Sequence, residues 1–258
     1  MSIQRRVEEI IRGAGDILLE KLASGFTIEH KGRVDLVTDA DRAAEAYITK
    51  ELQRDFPAFS ILGEEEGLSG RPDAEYLWLI DPLDGTTNFA HGFPYFSVSI
   101  ALTHHREVVF GAVYDPSTKT LFTAGKDQGA FMNGEPISVS EITNLENSLL
   151  VTGFPYDVST TKDDNIAEYA KALKATQGVL RTGSAALDLC NVACGRLDAY
   201  WEKGIDAYDI AAGSLIVTEA GGRLSAVDGG PFDLYDHQVL ASNGLIHDEL
   251  VQLIGTSA

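Results

Sequence analysis

The chain has 258 residues, 44% hydrophobic and 23% charged, which is ordinary globular composition with room for a sizeable core in one large or two modest domains. Its 39 acids against 20 bases give a net charge of −19, the opposite of the basic footprint that nucleic acid or an anionic membrane surface demands. No apolar run reaches the ~18 residues of a membrane span, and the opening M-S-I-Q-R-R-V-E-E-I has no signal-peptide core. Two cysteines, Cys190 and Cys194, fit small buried thiols on one helix face in a reducing cytoplasm, because two thiols make neither a disulfide framework nor a zinc site.

Ile3, Val7, Ile10, Ile11, Ala14, Leu18 and Leu22 recur at spacings of three and four, predicting an amphipathic helix over 3–24 that Gly25 closes. V-D-L-V-T (34–38) predicts a short strand. D-A-D-R-A-A-E-A-Y-I-T-K-E-L (39–52) predicts a second helix with acids in its first turn. F-S-I-L-G-E-E-E (59–66) starts as a strand and breaks at Gly63. Y-L-W-L-I (76–80) is apolar throughout and predicts a strand covered on both faces. From Tyr95 to Val139, β-rich runs separated by H-H-R-E, D-P-S-T-K and G-K-D-Q-G predict antiparallel hairpins. After about residue 146 strands and helices alternate, predicting a layered α/β unit. The expected division is an α+β half over 1–145 and an α/β half over 146–258.

The chemistry concentrates in I-D-P-L-D-G-T-T-N-F (80–89). Asp81 stands at a strand end, and Pro82, lacking an N–H, should stop the ladder there. Asp84 then turns back to the same mouth, and Gly85 lets backbone approach a ligand closely. Gly85-Thr86-Thr87-Asn88 reads as a first helical turn whose N–H groups suit a phosphate. Acids for hard cations and bare amides for phosphate thus lie side by side. Two such cations would call for about four carboxylates. Glu64 in G-E-E-E-G and Asp209 in D-A-Y-D-I-A-A-G are the other candidates. Competing patterns fail on spacing: there is no D-x-D-x-T, no P-loop G-K-[ST], and no calcium-binding loop, since Gly85 falls at position 5 rather than 6.

D-P-L-D-G-T-T-N-F resembles the first signature of the inositol monophosphatase family, and Y-D-I-A-A-G-S-L-I-V-T-E-A-G-G resembles its second. G-E-E, V-D-L-V-T-x-A-D, G-F-P-Y and G-G-P-F-D-L also read as family text, from about residue 3 to 253. The resemblance implies a mixed α+β fold: a layered αβαβα sandwich with a large antiparallel-rich sheet and a second smaller sheet. It also implies a homodimer and a lithium-sensitive, Mg²⁺-dependent phosphomonoesterase using two to three ions per subunit. Carried across, Glu64, Asp81 and the carbonyl of Leu83 would hold one Mg²⁺; Asp81, Asp84 and Asp209 would hold a second; Glu64 would reach a third. Asp41 and Thr86 would orient and deprotonate a metal-activated water that attacks phosphorus directly, and Glu64 is counted with them as catalytic. Gly85 and Thr86 would take phosphate oxygens through N–H groups. Gly183, Ser184, Ala185 and Glu202 would meet the alcohol, and Asp84 and Asp209 count among the substrate contacts too.

The implied substrate is a small phosphorylated polyol, inositol-1-phosphate first. Histidinol phosphate, fructose 1,6-bisphosphate or a nucleotide phosphate would use the same metal motif, and a regulatory protein keeping the fold is the non-catalytic alternative. Tyr208 stands where the family usually has Trp. Glu219 reads as structural. His91, His104 and His105 read as surface or loop residues, with no metal assigned.

Overall fold

A computed structural model describes residues 2–30, 36–71 and 73–255. In chain order the elements are α1 (Ile3–Ser24), β1 (Ile28–His30), β2 (Leu36–Thr38), α2 (Asp39–Asp55), β3 (Ser60–Gly63), β4 (Gly67–Ser69), β5 (Tyr76–Asp84) and the single-turn α3 (Thr86–Ala90). Next come β6 (Ser97–His104), β7 (Glu107–Asp115), β8 (Thr120–Gly125), β9 (Ala130–Met132), β10 (Glu135–Pro136), β11 (Leu149–Thr152), α4 (Ile166–Ala175) and β12 (Gly178–Leu180). The chain ends with α5 (Ala185–Ala193), β13 (Ala199–Lys203), α6 (Ala207–Glu219), β14 (Arg223–Ser225), β15 (Gln238–Ser242) and α7 (His247–Ile254).

Besides the small β1–β2 pair there are two sheets among the described residues, and the large one, of eight strands, runs β10-β9-β8-β7-β6-β5-β3-β4 and is antiparallel except at β3–β5. The second, of five strands, runs β12-β11-β13-β15-β14, with parallel pairing on both sides of β11. Alternation along β5 explains the layers. Trp78 and Ile80 face a core filled by Val7, Ile10, Ile11 and Ala14 of α1 and by Ala44 and Ile48 of α2. Leu79 faces the opposite way, into a core built from α5 and α6 that also takes Tyr200, Val239 and Ala241 of the small sheet. On the far side of that sheet, Leu150, Trp201 and Leu240 pack with Ala172 of α4 and Leu250 and Ile254 of α7. The order is therefore helices, large sheet, helices, small sheet, helices: the αβαβα sandwich.

α6 is apolar nearly all round because it lies between two sheets. It approaches β7 so closely that a Cβ at Gly111 would stand 2.8 Å from the carbonyl oxygen and 2.9 Å from the Cα of Ala212. Glu219 at its end accepts the N–H groups of Asp127, Gln128 and Gly129 (2.8, 3.0 and 2.7 Å), tying α6 to the β8–β9 turn.

Two sequence expectations need adjustment. Of the strand expected over 34–38, Val34 and Asp35 lie outside the described residues, and the rest is β2. The ladder does not stop at Pro82. Asp81 pairs with Ser99 and Asp84 with Ser97, so Pro82 and Leu83 together oppose one residue in a bulge. A bulge tolerates the missing proline N–H and re-aims the strand end, which an ending would not do.

Candidate active site

The bulge sets the geometry. Asp81 is 2% exposed, and its Oδ1 accepts the N–H of Leu83 at 2.9 Å, closing the bend. Beyond it, Gly85 adopts φ +97°, where a Cβ would meet the carbonyl oxygens of Gly183 and Tyr95, each at 3.1 Å. Asn88 of α3 then donates to the carbonyls of Tyr95 and Thr182, both at 2.8 Å. The first signature is thereby bound to the loop before α5, 94 residues further along.

Asp84 closes the same junction. Its Oδ2 accepts the Ser184 hydroxyl at 2.5 Å and the Ala186 N–H at 2.8 Å, and its Oδ1 accepts the Ala185 N–H at 3.2 Å. The hydroxyl of Ser184 and the N–H of Ala185, expected at the substrate, point here at Asp84. The Ser97 hydroxyl also lies 3.4 Å from Oδ2, so the lone pair left for a cation is on Oδ1.

Glu64 is aimed by a residue that motif reading passed over. Glu45 of α2 is 1% exposed, and its two oxygens accept the N–H groups of Glu65 (2.9 Å) and Glu66 (2.8 Å). Gly63 makes room, since a Cβ there would collide with the Glu45 carboxylate. On the other side, the Glu64 N–H donates to the carbonyl of Ile80 at 3.2 Å. Asp209 sits in the first turn of α6, where its Oδ2 accepts the Asp206 N–H at 2.9 Å in a capping box.

Asp41 lies behind the pocket wall, fully buried at the start of α2. Its Oδ2 accepts the N–H (2.8 Å) and hydroxyl (2.5 Å) of Thr38, while its Oδ1 stands 3.1 Å from the Thr86 hydroxyl. Thr86 also reaches the Leu83 carbonyl at 3.0 Å. One hydroxyl proton faces two acceptors, so Thr86 links the Asp41 carboxylate to the Leu83 carbonyl of the bulge.

Glu64, Asp81, Leu83, Asp84, Gly85, Thr86, Gly183, Ser184, Ala185, Glu202 and Asp209 all line one cavity of about 130 Å³. That is room for on the order of ten waters, suited to a small ligand. Burial, then the charges of Glu64, Asp84 and Asp209, push the Asp81 carboxyl well above the ordinary range. Burial and the charges of Glu64 and Asp84 do the same to Asp209. Burial also raises Asp84, against the pull of Ser184, Ala186 and Ala185. Acids gathered at this density repel one another, and holding them charged is costly. Every donor is oxygen, the chemistry of a hard cation. Among the described residues no three of these acids bring one oxygen each within 4.8 Å of one another. Mg²⁺ tolerates that spread, because it keeps several waters and takes one or two carboxylates directly.

Two further wall residues carry no motif signal. Asp188, buried in α5, accepts from the Tyr95 hydroxyl (2.8 Å) and from Thr182 (2.5 and 2.6 Å). In the sequence it reads as one acid in an apolar helix. Arg181, also in the wall, lowers the Glu202 carboxyl electrostatically. Burial outweighs that help and the hydrogen bond from Tyr200 (2.5 Å), raising Glu202 to about 7.

The model of the inositol monophosphatase family matches residues 3–257. An inositol-1-monophosphatase of Synechocystis is 48% identical over 250 residues, covering 96% of this chain and 87% of that protein. A Pseudomonas aeruginosa protein named Nus factor SuhB is 41% identical over 240 residues, covering 90% and 88%. The solved inositol monophosphatase of Anabaena superposes with a TM-score of 0.87 at 45% identity, covering 95% of this chain and 92% of that one.

Two outcomes follow from the site alone. Asp81 and Asp209 retain protons in the folded chain that the unfolded chain releases. Stability of the cation-free protein therefore falls as pH rises from the unfolded carboxylate value, near 3.8, toward the raised folded values. Asp81→Asn should flatten that fall, giving a higher Tm than the parent at pH 8 in EDTA and little difference at pH 4; equal Tm values at pH 8 would contradict the buried-charge account. Glu45→Gln puts an amide NH₂ against one of two buried N–H groups. It should cost about 1–3 kcal/mol in urea denaturation, and it should weaken divalent-cation activation roughly 10–100-fold, as loss of an orienting partner does.

Proposed function

The chain belongs to the inositol monophosphatase family and is a phosphatase, and we propose that it hydrolyses inositol-1-phosphate to myo-inositol and phosphate with Mg²⁺ as cofactor. The observation that carries this reading is the single cavity shared by Glu64, Asp81, Asp84, Asp209 and the Gly85–Thr86 turn. Glu64, Asp81, Asp84, Asp209 and the Leu83 carbonyl would hold two to three Mg²⁺. When bound, Mg²⁺ supplies Lewis acidity, making water a competent nucleophile near neutral pH and offsetting charge on the phosphate.

The chain's own residues do the rest. The N–H groups of Gly85 and Thr86 are oriented by the left-handed turn to take phosphate oxygens. Thr86 orients the attacking water and passes its proton toward Asp41, whose burial raises its proton affinity. Ser184, Ala185 and Ala186 hold Asp84 in place, and Gly183, with a φ of +93°, lets the loop pass close to Asn88. Glu202, when ionised, accepts hydroxyl hydrogen bonds from a polyol. A homodimer and a cytoplasmic setting belong to the same reading, as does the division into halves 1–145 and 146–258, each supplying part of one site.

The name carried by the P. aeruginosa relative favours a second reading, in which this chain also binds a regulatory protein partner. That binding would persist in an Asp84→Asn variant.

Phosphate release from inositol-1-phosphate with Mg²⁺, abolished by EDTA and reduced at least about 100-fold in Asp84→Asn, is the expected result. Release that survives EDTA would end the metal-assisted reading. Better kcat/KM on histidinol phosphate or a nucleotide would keep the mechanism and change the substrate. Glu202 adds a pH signature. KM for inositol-1-phosphate should rise as pH falls from 8 to 6, because protonation removes an acceptor at about 7. Glu202→Gln should show a KM roughly tenfold higher and flat over that window. A parent profile equally flat would remove Glu202 from the alcohol subsite.

A further inference from the structure

The other end of β5 carries a second cluster of metal-type donors. Glu75 immediately precedes β5, His104 ends β6, and His105 opens the β6–β7 turn. Glu75 Oε1 lies 3.0 Å from His104 Nε2 and 3.9 Å from His105 Nε2. One donor atom from each of the three falls within 4.8 Å of the other two.

Adjacent residues on a strand point to opposite faces. Here they do not, because His105 and Arg106 have left-handed φ values of 50° and 69°. The turn brings the two imidazole rings to 4.3 Å, centroid to centroid. The backbone is pinned on both sides: Tyr76 pairs with His104, and the His105 N–H donates to the Glu75 carbonyl at 2.9 Å. Tyr76 also stacks on the His104 ring at 4.5 Å, fixing its plane. Neighbouring charges are engaged elsewhere: Arg106 lies over the Tyr235 ring, Glu107 pairs with Lys126, and Asp73 pairs with Arg71.

We propose that Glu75, His104 and His105 form a surface site for a divalent transition-metal ion, with Zn²⁺ the natural probe. Ligands about 2.1 Å from a tetrahedral zinc stand about 3.4 Å apart, and 3.0 and 3.9 Å bracket that value. Two imidazoles and one carboxylate select zinc, nickel or copper over magnesium, whose preference is oxygen alone. The fourth position stays open to water. The ion would join the start of β5 to the β6–β7 turn. Five residues of strand separate Tyr76 from Asp81, about 17 Å at 3.3 Å each, so this ion is not one of those at the phosphatase centre. With a net charge of −19, the chain as a whole also favours cations.

The test is calorimetric titration of Zn²⁺ into tag-free protein held in saturating Mg²⁺, which occupies the oxygen-rich pocket. One equivalent should bind in the parent and in Asp84→Asn. His105→Asn, which tolerates the left-handed turn, and Glu75→Gln, which leaves the turn untouched, should each weaken that binding at least about tenfold. Both variants should keep the parent's Mg²⁺-dependent phosphatase rate without zinc. A parent that binds no zinc in excess Mg²⁺, or variants with the parent's isotherm, would overturn the proposal.

Discussion

Glu64, Asp81, Asp84 and Asp209 share one pocket, and their mutual repulsion is the constraint around which the rest is arranged. Like charges taken out of water repel strongly and would move apart or neutralise. The fold opposes separation by anchoring the acids on rigid elements, and leaves the second response open: the carboxyls of Asp81, Asp84 and Asp209 are raised. Asp81 sits on a central strand of the large sheet, Asp209 on a helix clamped between two sheets, and Asp84 against the start of α5. The resulting site is poor in stability and rich in affinity for cations, the trade expected where function sets residue choice.

Anchoring falls to residues that never enter the pocket mouth. Glu45 is the clearest case, because it spends a buried charge on two backbone N–H groups and so fixes the loop that aims Glu64. Gly63 and Gly111 serve the same end by absence, one admitting the Glu45 carboxylate and the other admitting α6. Asn88 stitches the first signature to the loop before α5. Loosening any of these would leave every cavity acid present but misplaced, and misplacement alone costs rate where catalysis rests on positioning.

Local signals in the sequence were strong where one physical cause dominated. The three-and-four spacing of α1, the apolar run of β5 and the turn residues between β6, β7 and β8 each report one period or one breaker, and the corresponding elements are present. Pro82 misled because proline usually ends a ladder, whereas a bulge absorbs it, and bulges depend on the partner strand. Asp84 and the α5 start lie 100 residues apart, so no local pattern could reveal that Ser184 and Ala185 serve Asp84. Asp188 and Glu45 were hidden for a similar reason: a single acid on a helix reads as solvated until tertiary packing buries it. His104 and His105 read as a plain turn because Glu75, their partner, is brought alongside only by the pairing of β5 with β6.

The pocket has two ends of different chemical character. At the phosphate end, backbone amides and carboxylates are fixed by main-chain geometry, namely the bulge, the left-handed Gly85 and the α6 cap. Little there can distinguish one phosphate ester from another. At the alcohol end, side chains dominate: Glu202 against Gly153, Arg181 beside it, and Phe154 and Tyr156 in the wall. Those groups can change without disturbing the acids, since none of them sits on the β5 bulge or on α6. Substrate choice can therefore diverge among chains that keep the same two signatures. Arg181 sharpens the point, because its charge stabilises the ionised form of Glu202 and so helps set whether that wall presents a hydrogen-bond acceptor or a donor near neutral pH.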